Sequence, residues 1–137
     1  MSVQVIRHRN IEKELENILK EATVEAGYFG GEGGDGQSIA EIAAKNEVTR
    51  PFMSRAQSKA EKEAPDFYEK EASKKGFEVK TFFNKLGLKM VELIKKEIDT
   101  ATEWAKPNSD YTVKMKGSSH PLIDTGTMRN NTDYRVK

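Results

Sequence analysis

Glu78-Val-Lys-Thr-Phe-Phe-Asn-Lys-Leu-Gly-Leu-Lys-Met-Val-Glu-Leu-Ile-Lys-Lys-Glu-Ile-Asp-Thr-Ala101 is the stretch that decides the fold. Val79, Phe82, Phe83, Leu86, Met90, Leu93, Ile94, Ile98 and Ala101 recur at helical spacing and form one continuous apolar stripe. Burying each large side chain of such a stripe is worth about 1.5–3 kcal/mol. A helix from about Glu78 to Ala101 is therefore expected as the central core element. A helix lying in a partner's groove is the functional alternative. Trp104, the single tryptophan, ends this region as a core plug or as an interface anchor, and Pro107-Asn108 closes it.

Upstream of the stripe, Arg50-Pro51-Phe52 punctuates the chain. Pro51 suits the first position of a new helix, where its missing N–H has no partner to lose. That helix is polar and rich in Lys and Glu; Pro65 is expected to kink or end it, with Asp66–Lys75 resuming it. Ser38 and Glu41 form a capping box ahead of Ile39, Ile42, Ala43 and Ala44. Further back, Thr23–Phe29 reads as a strand running into the glycine-rich stretch Gly30–Gly36. Asn10 offers an N-cap, with Glu12 and Glu14 near the positive end of the helix that follows. Ile11, Leu15, Ile18, Leu19 and Ala22 make that helix's apolar stripe, and Val3–His8 reads as a short first strand.

At 137 residues the chain is expected to form a single domain over 1–137. Charged residues make up 33% and apolar ones 36%, which favours a helix-rich domain or a subunit that completes its burial against neighbours. A net charge of +1 implies no global pull toward nucleic acid or membrane. The charge is uneven: residues 1–49 hold five basic and nine acidic side chains, residues 105–137 six and three. Such opposite-signed patches steer ring-like self-association, and solvated faces account for them equally well. The absence of cysteine excludes disulfides and thiolate metal sites. With no apolar run of membrane length and no secretory core at the N-terminus, a soluble, cytosolic product is expected, with no membrane partner.

Several motifs invite an enzymatic reading. Gly31-x-Gly33-x-x-Gly36 matches the dinucleotide fingerprint, yet Glu32 and Asp35 would set negative charge beside the phosphates. No hydrophobic strand with a ribose-binding acid follows, so an exposed loop is expected. Asp124-Thr125-Gly126 resembles half of an aspartic-protease site. Such a site needs two carboxylates, so a single-motif chain must dimerise. It also needs a long β-structure after the motif, whereas only eleven residues follow Gly126 and the chain before it reads as mostly helical. Asp124 or Thr125 as N-cap of a single turn over Thr127–Asn131, feeding a terminal strand, fits better. His8 and His120 lack helical ligand spacing, and no Ser has an activating motif. No catalytic residue, metal or cofactor is expected, and no small-molecule substrate. Lys114, Lys116, Arg129, Arg135 and Lys137 with Tyr111 and Tyr134 make either a small nucleic-acid patch or a basic rim at a protein interface.

The order of these segments resembles the neck and tail-completion (head–tail joining) proteins of tailed bacteriophages. The residues that carry the resemblance are Ala40-Glu41-Ile42-Ala43 with Asn46-Glu47, then Arg50-Pro51-Phe52-Met53. Lys116-Gly117-Ser118-Ser119, Pro121-Leu122-Ile123-Asp124-Thr125-Gly126 and Met128-Arg129-Asn130 complete it. Asn131-Thr132 departs from the pattern, standing where a Ser-Ile pair is more usual. The resemblance implies an α+β subunit with a small antiparallel sheet, made of the early strands and the C-terminal one, packed on a long amphipathic helix with additional helices. It implies a non-enzymatic virion protein that forms a homo-oligomeric ring joining the head connector or adaptor to the tail terminator or tail tube. DNA would be passing cargo, and the protein would occupy the host cytoplasm only during assembly. Arg50, Pro51, Phe52, Lys114, Lys116, Pro121, Leu122, Asp124, Thr125, Gly126, Met128 and Arg129 are the expected packing hinges or interface residues. A nucleic-acid-binding accessory of virion assembly is the alternative.

Overall fold

The computed structural model describes residues 10–29, 38–104 and 127–137. The expected strand Val3–His8, the Gly30–Gly36 loop, both histidines, and Lys114, Lys116 and Pro121–Gly126 lie outside the described residues.

Helix α1, Ile11–Leu19, begins at Asn10, whose side chain accepts the Lys13 N–H at 3.0 Å. Strand β1 follows as Val24–Gly27. Helix α2, Ile39–Thr49, starts on the expected cap, with the Ser38 hydroxyl accepting the Glu41 N–H at 3.1 Å. Helix α3, Phe52–Ala72, begins one residue later than expected, so Pro51 sits at its N-cap. A proline has no side-chain oxygen to offer, and Glu47 of α2 takes over the role. Its Oε2 accepts the Met53 N–H at 2.8 Å; its Oε1 accepts the Ser54 N–H at 3.0 Å and the Ser54 hydroxyl.

Pro65 does not end α3, which continues through it from Phe52 to Ala72. The carbonyl that loses its donor belongs to Glu61, an exposed residue, so water can satisfy it. Ala64, Phe67, Tyr68 and Ala72 on either side pack into the core, which keeps the chain helical across the proline.

Gly76, at φ +80°, turns the chain between α3 and helix α4, Val79–Asp99. The two helices run antiparallel: Tyr68 late in α3 meets Phe82 early in α4, and Phe52 early in α3 joins Ile94 and Ile98 late in α4. Two short helices, α5 (Ala101–Trp104) and α6 (Thr127–Asn130), and strand β2 (Asp133–Val136) complete the described elements. β2 pairs antiparallel with β1 in the register Val24↔Val136, Glu25↔Arg135, Ala26↔Tyr134 and Gly27↔Asp133.

The fold is therefore α+β, with a small antiparallel sheet packed on the long helix. α4 touches α3, β1 and β2, so it is buried over a wider arc than one stripe provides. One apolar cluster gathers Leu15, Tyr68, Phe82, Phe83 and Leu86; Tyr68 and Phe82 meet edge-on with ring centroids 5.4 Å apart. A second gathers Ala43, Phe52, Ala56, Ile94, Ile98, Ala101 and Met128. The stripe anticipates most of α4's contribution. Gly87, Val91 and Glu97 are also buried, outside that stripe, because the sheet and α3 cover α4 from two sides.

Candidate functional site

The Arg50–Phe52 turn and the Met128–Arg129 turn, far apart in sequence, meet at the C-terminal end of α4. Phe52 is 0% exposed and Met128 3%, both in the cluster with Ile94 and Ile98. Packing hinge and interface contact are the two roles expected for these residues, and their side chains take part in the chain's own core. Arg129 reaches outward and grips Asp99 with a fork, Nε to Oδ1 at 2.6 Å and Nη2 to Oδ2 at 3.0 Å. That pair ties α6 to the end of α4. Pro51 is exposed and Arg50 half-buried. The remaining expected contacts, Lys114, Lys116, Pro121, Leu122, Asp124, Thr125 and Gly126, lie outside the described residues.

Thr132 is buried, and its hydroxyl lies 2.9 Å from the Tyr28 oxygen and 3.2 Å from the Met128 carbonyl. Burial pushes the Tyr28 phenol up to about 12, against the opposing pull of Thr132, so it stays protonated. The Thr132 hydroxyl is thus satisfied by the phenol that follows β1, next to the strand pair β1–β2.

Behind this joint lies a charge cluster that the sequence reading missed. The Glu97 side chain is 1% exposed, with Arg55 Nε 2.9 Å from Oε2 and the Lys59 ammonium against Oε1. Burial raises the Glu97 carboxyl, but hydrogen bonds from Arg55 and Lys59 outweigh it and hold the group below its ordinary value. The Arg55 guanidinium stacks 4.4 Å from the centre of the Trp104 ring, and Trp104 Nε1 donates to the Glu97 carbonyl at 3.1 Å. Trp104 therefore packs at the margin of the core and orients the arginine that neutralises Glu97. The i, i+4 spacing of Arg55 and Lys59 was legible; their common partner on another helix was not.

The described surface also has a groove of about 520 Å³. Thr23 and residues Val24, Glu25 and Ala26 of β1 form one side, the Ala56, Ala60 and Ala64 row of α3 the other, and Leu86, Met90 and Ile94 of α4 the floor. The alanines recur every fourth residue in an otherwise polar helix, which is the signal that could have found this face. Such a mostly apolar groove can accept apolar side chains.

Among the described residues, no group of three or more His, Asp or Glu side chains is placed to hold a metal ion. No helix of the described residues is long and apolar enough to cross a membrane. No family model, curated protein or solved structure matches this chain.

Proposed function

We propose that this chain is a structural, non-enzymatic virion protein of a tailed bacteriophage. It acts at the head–tail junction, assembles as a homo-oligomeric ring, and joins the head connector to the tail terminator or tail tube. The observation that carries this reading is the ordered set of motifs that resembles the pattern of neck and tail-completion proteins. Two of them, Arg50-Pro51-Phe52-Met53 and Met128-Arg129-Asn130, meet at one buried joint around Phe52 and Met128. In such a ring, affinity comes from repeated contacts and symmetry closure, with no need of a reactive pocket.

Size-exclusion chromatography with light scattering tests the reading on the full chain, alone and mixed with its connector or tail-terminator partner. A defined oligomer that co-elutes with one of them is expected. A strictly monomeric species that never co-elutes with either contradicts it.

A further inference from the structure

The segment that closes the fold divides into two unequal parts. Met128–Thr132 is an anchor. Met128 is 3% exposed in the core cluster, Arg129 forks onto Asp99, and the buried Thr132 hydroxyl meets both Tyr28 and the Met128 carbonyl. Beyond Thr132 the burial stops. Asp133, Arg135 and Lys137 are exposed, Tyr134 and Val136 only half-buried. Four residue pairs between two strands are marginal as a structure of their own.

β2 rests on a narrow set of contacts. The Tyr134 ring lies over Gly87, and its phenol oxygen reaches Asn84. Val136 packs on the rim of the cluster of Leu15, Phe82, Phe83 and Leu86. At the far end, Thr23 and Lys137 exchange both backbone hydrogen bonds, at 3.0 and 2.9 Å. Arg135 lies 4.3 Å over the Phe29 ring, and its charge is directed at Glu25. That one carboxylate takes Arg135 Nε at 2.9 Å and the Lys137 ammonium at 3.6 Å. The hydrogen bond from Arg135 holds the Glu25 carboxyl below its ordinary value. All three side chains keep 36–55% of their exposure, so salt screens both pairs.

We infer that Asp133–Lys137 is a strap that opens and closes over α4 about the Met128–Thr132 anchor, with Glu25 as its electrostatic catch. A segment without a buried side chain opens far more readily than the whole fold, whereas an anchor seated in the core opens with it. Closed, the strap covers Gly87 and the rim of the first apolar cluster. Open, it uncovers that face of α4, at a frequency set by ionic strength. The inference needs no partner and is independent of the ring reading.

Native-state hydrogen exchange on the full chain tests it. The Thr23 and Lys137 amides are the reporters, because each is closed by the other residue's carbonyl. Both are expected to be about a hundred-fold less protected than the Leu86 and Ile94 amides of α4, with little response to low urea. Glu25→Gln, a change at a partly exposed side chain, is expected to keep the fold. It should speed the two reporters about five-fold and leave Leu86 and Ile94 unchanged. Raising NaCl from about 0.02 M to about 1 M should do the same in wild type and nothing in Glu25→Gln. Reporters that share the protection and urea dependence of Ile94 would place β2 in the global unit and overturn the strap. Reporters that respond neither to Glu25→Gln nor to salt overturn the catch, and the inference with it. Should Glu25→Gln fail to fold, the salt response of wild type decides alone.

Discussion

The ring of Tyr134 in β2 lies directly against Gly87 of α4. A Cβ at position 87 would sit 2.1 Å from the tyrosine Cδ2, far inside contact distance. The phenol oxygen then reaches Asn84 Oδ1 at 3.2 Å, one turn earlier on the same helix. A missing side chain on the long helix is thus the seat for the terminal strand. In isolation, Gly87→Ala favours the helix by about 1 kcal/mol. The clash outweighs that gain, and a net loss of about 1–3 kcal/mol is expected in urea unfolding. The loss should largely vanish when Gly87→Ala is combined with Tyr134→Ala, because the two residues share one contact.

The Glu97 cluster predicts how acid affects the fold. The folded Glu97 carboxyl lies below its ordinary value of 4.5, so its contribution is present above that value and lost as pH falls through the lower one. Glu71, held by Lys74 and Lys85, is depressed in the same direction. Glu97→Gln should therefore flatten the fall in thermal stability below about pH 4.5 relative to wild type. At neutral pH it leaves Arg55 and Lys59 without their anion. Those cations keep 40% and 46% of their exposure and can rehydrate, so the expected loss is about 1–3 kcal/mol, short of a fully buried pair. Unchanged acid sensitivity in Glu97→Gln would show that other carboxylates set the limb.

Glu47 substitutes for the cap that Pro51 cannot supply. Glu47→Ala removes the acceptor for the Met53 and Ser54 N–H groups and should cost about 1 kcal/mol. Amide exchange at those two residues should quicken more than exchange in the middle of α3. Equal acceleration along the whole helix would point to global destabilisation instead of a lost cap.

Surface charge and assembly should separate. The Arg129–Asp99 fork is 37% and 42% exposed, so Arg129→Ala should lower stability by less than about 1 kcal/mol. Lys114→Glu with Lys116→Glu, which reverses two charges of the basic C-terminal region, should reduce assembly in light scattering. Full assembly by that double variant would remove these lysines from the proposed interface.

Local signals carried much of this fold. The caps at Asn10 and Ser38, the single turn at Thr127 and the apolar stripe of α4 each follow from a few neighbouring residues. What the sequence hid depends on pairs that only tertiary structure brings together. Gly87 carries no periodic signal, and its purpose appears only when Tyr134 lies on it. Glu97 looks like one more solvent-facing acid until α3 delivers Arg55 and Lys59. Pro65 reads as a breaker because local geometry forbids its hydrogen bond, while packing on either side keeps the helix intact. Phe52 and Met128 were legible as packing hinges or interface residues, without a choice between the two. An apolar residue beside a turn gives no sign of which side of the surface it will take.

Electron microscopy of phage particles made with this gene interrupted tests the central claim most directly. The account predicts filled heads and completed tails that accumulate separately, rejoined when the wild-type protein is supplied. Normally joined virions in its absence would contradict it.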